Sequence, residues 1–195
     1  MTNTTDPVRF LRAADRPAMP WRNGGGVTRE VAGHPAGSGL DDFGWRVSLA
    51  DVAAAGPFSA FPGVDRVITL VEGPGMALTV DGTEHVVDAP LRPFAFPGDA
   101  ATDCRLLGGP LVDFNVMTRR GRAGADLVLA GTPRPVTVPA GATVLLVCLT
   151  GTATLDGTAL ARYDAALLTA PATHALDPDG TTAVVTLRSR TAPRE

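Results

Sequence analysis

Residues 66–82, RVITLVEGPGMALTVDG, return in outline at residues 143–157, TVLLVCLTGTATLDG. Each copy is an apolar strand-like run, a glycine-bearing break, a shorter run and an Asp-Gly pair. The copies continue in step. RPFAFPGDAATDCRL (92–106) runs beside YDAALLTAPATHAL (163–176), and GPLVDFNVMT (109–118) beside DGTTAVVTLRS (179–189). Hairpins repeated in this way predict two related β units, and they suit a double-sheet jelly roll. One irregular sandwich with chance similarity is the alternative. RRGRAGAD (119–126) reads as the linker, giving an N-terminal unit over 1–120 and a C-terminal unit over 121–195.

The rest of the chain agrees with an all-β protein. Few windows longer than ten residues escape a Gly or Pro, and the apolar runs are rich in Val, Leu and Thr. Strands are expected over 27–32, 45–52, 66–71, 76–80, 85–87, 93–96, 104–107, 111–118, 127–129, 135–138, 143–149, 166–169 and 183–188. Asp81-Gly82, Asp156-Gly157 and Asp179-Gly180 read as hairpin turns, since Asp-Gly supplies positive φ. DVAAAG (51–56) has room for one helical turn before Gly56-Pro57 ends it.

Composition excludes several classes. The formal net charge is −3 and no Lys/Arg cluster is interleaved with aromatics, so no nucleic-acid partner is expected. All 17 basic residues are Arg, which leaves no lysine for a Schiff base. MTNTTDPVRFLR lacks an apolar stretch of signal-peptide length, and no run approaches a membrane span, so a cytoplasmic protein without membrane contact is expected. Cys104 and Cys148 sit in apolar runs without C-x-x-C or a histidine at ligand spacing, and read as buried structural thiols. His34, His85 and His174 are isolated from one another, so neither a metal nor another cofactor is expected. Nine of the ten aromatic residues precede residue 118, which makes the first unit the place to look for a pocket.

Three stretches there carry polar residues on strands. In WRNGGGVTREVA (21–32) the glycines resemble a phosphate loop only in composition: no lysine follows, the spacing is wrong and no helix comes next. A tight turn is the better reading. After it Thr28 and Glu30 share one face of a strand. In GWRVSLADV (44–52) Arg46 and Ser48 oppose Trp45, Val47 and Leu49; in VDFNVMTRR (112–120) Asp113, Asn115, Met117 and Arg119 oppose Phe114, Val116 and Thr118. Such rows face either solvent or a barrel lumen, and Asn115 and Met117 are poor choices for solvent. A buried Arg46 needs a carboxylate, which Glu30 or Asp113 could supply, or it grips a ligand's carboxylate.

WRNGGGVTREVA, FGWRVSLADVAAAGPFSAFPGVDRVITLVEG (43–73), FPGD (96–99) and DFNVMTRR (113–120), in this order, resemble the HutD/Ves family. The match spans residues 16–122 by motif, carried by Trp21, Asn23, Gly24 to Gly26, Thr28 and Glu30, then by residues from Trp45 to Arg66, then by Asp113, Asn115, Met117 and Arg119. The resemblance implies a bicupin: two RmlC-like jelly-roll barrel units in one chain. It implies a pocket that works without metal, since the histidine ligands of metal-binding cupins are missing. The HutD branch is associated with histidine-utilisation operons and a regulatory or sensing role, with formylglutamate as a proposed ligand; the Ves branch is linked to stress or cold response. No catalytic activity is attached to either.

The expectation is a metal-free bicupin that binds a small anionic metabolite through Asn23, Thr28, Glu30, Arg46, Ser48, Arg66, Asp113, Asn115 and Met117, with Arg46 as anchor helped by Arg66 and Asn115. An isomerase or hydrolase using Glu30, Asp113 or His85 as acid or base is the alternative. A structural protein whose polar rows are simply wet is a third reading. Open strand edges allow a homodimer.

Overall fold

The computed structural model describes residues 6–189; residues 1–5, where no leader is expected, and 190–195, the end of the expected C-terminal unit, lie outside the described residues. The strands are β1 (Val8–Leu11), β2 (Met19–Pro20), β3 (Gly26–His34), β4 (Trp45–Val52), β5 (Gly56–Pro57), β6 (Val64–Glu72), β7 (Met76–Val80), β8 (Thr83–Val87), β9 (Pro93–Pro97), β10 (Thr102–Leu106), β11 (Leu111–Arg119), β12 (Ala123–Ala130), β13 (Arg134–Thr137), β14 (Ala142–Leu155), β15 (Thr158–Leu160), β16 (Ala165–Leu168) and β17 (Thr173–Ser189). A 3-10 turn over Ala13–Asp15 is the one helical element among the described residues, so the protein is all-β.

Residues 16–123 pack as one unit, and the described residues 6–15 and 124–189 as a second. The first unit has two antiparallel sheets, β2-β3-β4-β11-β6-β9 and β5-β10-β7-β8. Its core joins Val52, Ile68 and Leu70 of the larger sheet to Met76, Leu78 and Cys104 of the smaller. The second unit is one sheet, β1-β16-β14-β17-β12, with β13 paired to β17 and β15 to β14. Its core contains Val144, Leu146, Cys148, Leu155, Leu160 and Leu168.

The units follow one plan with a difference at the breaks. In the first, Gly73-Pro74-Gly75 ends β6 before β7, and residues 107–110 separate β10 from β11. In the second, β14 and β17 run through the corresponding positions as strands of 14 and 17 residues. They cross a bulge between Cys148 and Thr150, where Gly151 opposes Gly180. A Cβ on Gly151 would lie 1.8 Å from the Asp179 carbonyl oxygen, and one on Gly180 2.2 Å from that of Thr150. Asp179-Gly180 is therefore a point of close backbone approach inside a strand and not the expected hairpin. The other two Asp-Gly pairs do turn, with φ of 45° at Asp81 and 49° at Asp156.

Three further expectations differ. DVAAAG forms no helical turn: the amides of Ala53 and Ala54 donate to the Gly25 carbonyl, at 2.9 and 3.1 Å, so the stretch follows the glycine loop. Within the expected linker only residues 120–122 turn, and Ala123 already opens β12. The segment before residue 16, placed in the N-terminal unit by chain order, packs with the C-terminal one, because β1 pairs with β16. Strand pairing across more than 150 residues leaves no local trace in sequence.

Candidate functional site

Partners directly opposite in an antiparallel sheet share a face. Across the larger sheet of the first unit, Thr28 lies opposite Ala50, Ala50 opposite Asp113 and Asp113 opposite Leu70. One rung on, Glu30, Ser48, Asn115 and Ile68 are aligned. The next rung joins Arg46, Met117, Arg66 and Phe96. The three polar rows thus share one face, largely withdrawn from solvent: Ser48 and Met117 are 1% exposed, Asp113 3% and Arg46 6%, while Thr28 and Glu30 are half-buried. The opposite face is buried too, through Val47, Phe114 and Val116.

This face floors a cavity of about 980 Å³. All nine residues singled out from the sequence border it, Asn23 from a loop and the other eight from β3, β4, β6 and β11. Its remaining wall includes Met19, Trp21 and Leu40, together with Phe58 to Pro62. The glycine loop is shaped to fit. The Gly26 backbone passes close to the Trp21 ring, where a Cβ would meet the Asp51 carbonyl oxygen at 2.6 Å and the indole at 3.1 Å. Asn23 Oδ1 accepts from the Gly25 amide, and the Trp21 indole N–H donates to Thr28 Oγ1 at 2.8 Å. The loop places Trp21 and Asn23 in the cavity lining, and its Gly24 and Gly25 amides are spent on the Trp21 carbonyl and the Asn23 side chain rather than left for a phosphate.

The two interior arginines differ. Arg46 Nε donates to Glu30 Oε2 at 2.7 Å, so its charge is answered within the protein. Arg66 has no carboxylate within ion-pair distance among the described residues, and its buried Nε meets no hydrogen-bond acceptor. Its guanidinium carbon sits instead over the rings of Phe58, Phe61 and Phe96, at 5.4, 5.6 and 5.0 Å. Burial lowers its pKa to about 10, with Asp113 opposing and Arg46 adding to the shift, which still leaves a cation at neutral pH. Asn115 Oδ1, one rung away, is also buried without a partner. Asp113 is pushed up to about 7, chiefly by burial; Arg66 lowers it and Asp51 raises it.

Arg119 has a different task from the row it was read with. Its guanidinium donates to the carbonyls of Phe43 (2.9 Å), Pro62 (3.2 Å) and Asp41 (2.9 Å), tying two loops at the cavity wall. The histidines lie apart: His34 stacks on Trp45, His85 packs against Phe94 over a separate surface depression, and His174 contacts Asp156 at 2.6 Å. No group of three His, Cys, Asp or Glu side chains converges among the described residues. Cys104 and Cys148 are buried free thiols, each raised to about 11, mainly by burial. Sequence reasoning missed the aromatic cage of Phe58, Phe61 and Phe96. The spacing F-S-A-F was its one signal, and Phe96 comes from a different strand.

Among the described residues no helix is long and apolar enough to cross a membrane. The HutD family model matches residues 13–186. An uncharacterized 21.2 kDa protein in the hutC 3′ region of Pseudomonas putida is 47% identical over 120 residues, covering 62% of this chain and 63% of that one, under two thirds of its length. The structure of HutD from Pseudomonas fluorescens SBW25 is 36% identical with a TM-score of 0.85, covering 94% of this chain and all of that one. A conserved protein of unknown function from Pseudomonas aeruginosa PAO1 is 37% identical with a TM-score of 0.77, covering 94% and 99%. Solved cupins share the fold alone, such as oxalate decarboxylase from Bacillus subtilis at 9% identity and a TM-score of 0.62, over 92% of this chain and 76% of that one.

Proposed function

The chain belongs to the HutD family, and on that premise we propose that it is a cytoplasmic sensor that binds a small anionic metabolite of histidine degradation, formylglutamate being the first candidate. The observation that carries this reading is Arg66: a buried guanidinium with no carboxylate partner, unfilled at Nε, at the wall of a cavity large enough for a metabolite. An uncompensated charge in an apolar cage is costly to the empty protein, and a ligand carboxylate relieves that cost. Arg66 is therefore the anchor, and Arg46, already committed to Glu30, is its support. Asn115 Oδ1 offers a vacant acceptor to a ligand N–H. The hutC neighbourhood of the Pseudomonas putida relative supports the metabolic setting.

Thermal denaturation against formylglutamate, urocanate and glutamate tests this, because a ligand that binds only the folded state raises its melting temperature. Stabilisation that grows with formylglutamate concentration is expected. No shift at millimolar concentration of any of the three would remove the proposed ligand class.

One observation favours a second reading. A carboxyl at about 7 on a cavity floor is poised for acid/base catalysis, and Asp113 is such a group. Turnover of any of these compounds by the wild type, abolished by Asp113→Asn, would establish an enzyme.

A further inference from the structure

Asp113 is the one fully buried carboxyl among the described residues of the cavity wall, and no hydrogen bond or ion pair to it is present there. We propose that Asp113 serves as a carboxylic acid, donating a hydrogen bond to a ligand carboxylate held on Arg66, so that anion binding takes up one proton. This rests on the anion-binding reading above.

On the cavity floor Arg46 and Glu30 pair at 2.7 Å, and Arg66 is the buried cation without an ion-pair partner among the described residues; Arg22 and Arg119 add positive charge at the wall. With Asp113 ionised, a ligand carboxylate brought to Arg66 places a second anion beside that buried cation. Like charges sharing a site cannot both stay ionised cheaply. With Asp113 protonated one of those two anions is removed, and its O–H becomes a donor to a carboxylate group, which has only acceptors. Asp113, Asn115 and Arg66 lie on successive rungs of one sheet face, and Arg66 and Asp113 act on each other's charge across it.

The charged and titratable groups around Asp113 do not offer another explanation. Arg66 acts on it electrostatically from β6; Arg46, on β4, acts on Arg66 and engages Glu30 of β3. Asp51, at the far end of β4, adds negative charge but is held by Arg29. Cys104, behind it on β10, stays a thiol at neutral pH. His85 lines a different depression. Burial has already moved the free Asp113 carboxyl into the neutral range, and the carboxylates of the probe stay ionised throughout it.

Calorimetric titration with N-formyl-L-glutamate at pH 6 and pH 8 tests the proposal. Affinity is expected to fall about tenfold between the two, as the competent protonated fraction falls. At pH 7, buffers of different ionisation heat should reveal an uptake of about half a proton per ligand. Asp113→Asn keeps a donor but cannot titrate, so its affinity should be flat with pH. Wild-type affinity equal at both pH values, without proton uptake, overturns the proton-linked role and leaves the anion site standing. A variant that keeps the wild-type pH dependence overturns it as well. Absence of binding by N-formyl-L-glutamate, formate and glutarate at either pH removes the anion site and this inference together.

Discussion

The central strand pairs of the two units carry opposite interiors on one backbone plan. In the first unit β6 and β11 bring together Arg66 with Met117, Ile68 with Asn115, and Leu70 with Asp113. In the second, the inner rungs of β14 and β17 are Val144 with Thr186, Leu146 with Val184, and Cys148 with Thr182. The first set includes a cation, an acid and an amide around a cavity; the second packs against a filled apolar core. The strand breaks differ in the same sense. Where Gly73-Pro74-Gly75 interrupts the first unit, its strands divide between two sheets, and the second runs straight through. A β unit of this plan becomes vessel or scaffold according to a few inward positions per strand, because the pleat sends alternate residues to opposite faces.

The most damaging way to break the contrast is in the scaffold. Gly151→Val puts a branched side chain at φ 65° and 1.8 Å from a carbonyl oxygen, severing the long β14–β17 ladder. A loss on the order of 4 kcal/mol is expected in urea unfolding. In the vessel the largest effect falls on binding. Arg66→Met should weaken N-formyl-L-glutamate by about 3 kcal/mol, a factor of ~100, while the empty protein melts no lower, since an unanswered buried charge has been removed. Arg46→Met sharpens the point by doing the reverse to the empty protein. It strands Glu30, which is partly exposed, and should cost about 1 kcal/mol of folding stability by the same urea measurement.

A smaller effect is read from pH. Asp113 titrates near 7 when folded and near ~3.9 when unfolded, so the folded state holds its proton more tightly. Its stabilising contribution is complete below about pH 4 and is lost as pH rises through about 7. Between pH 5 and pH 8 the wild type should therefore lose a few degrees of melting temperature relative to Asp113→Asn. The smallest change is back in the scaffold: Thr182 Oγ1 is buried with only the weakly interacting Cys148 thiol beside it, and Thr182→Val should be neutral or gain up to ~1 kcal/mol in urea unfolding. Were Thr182→Val as costly as a cavity mutation, the second unit would hold polar chemistry after all.

Much of this was legible because alternation is a local property. Trp45–Val52 and Met76–Val80 begin and end where the pattern predicts, and the inward set of Arg46, Ser48, Asp113 and Asn115 follows from period two alone. What alternation leaves open is which face is inside, since polar rows suit solvent or lumen equally; burial of Ser48 and Asn115 decides it. Which arginine is free was also out of reach. Arg46 is the anchor expected from sequence, with Glu30 or Asp113 as its possible carboxylate; the structure pairs it with Glu30, whereas Arg66 lies over three aromatic rings without an ion-pair partner among the described residues. Register and cross-sheet packing are long-range facts. The Asp179-Gly180 pair failed for the same reason: the dipeptide permits a turn, but its opposite number, Gly151, makes it a contact.

Strand β1 gives the molecule a schedule. It pairs with β16, and the segment after it is tied down by Arg12 and the Ala13 amide on Asp164, at 2.7 and 2.8 Å. During synthesis, at about 5–20 residues per second, β1 emerges roughly 8–30 s before its partner exists. In that interval the whole of residues 16–123 is made and can close around its cavity. The cavity-bearing unit is thus complete before β1 can find its place.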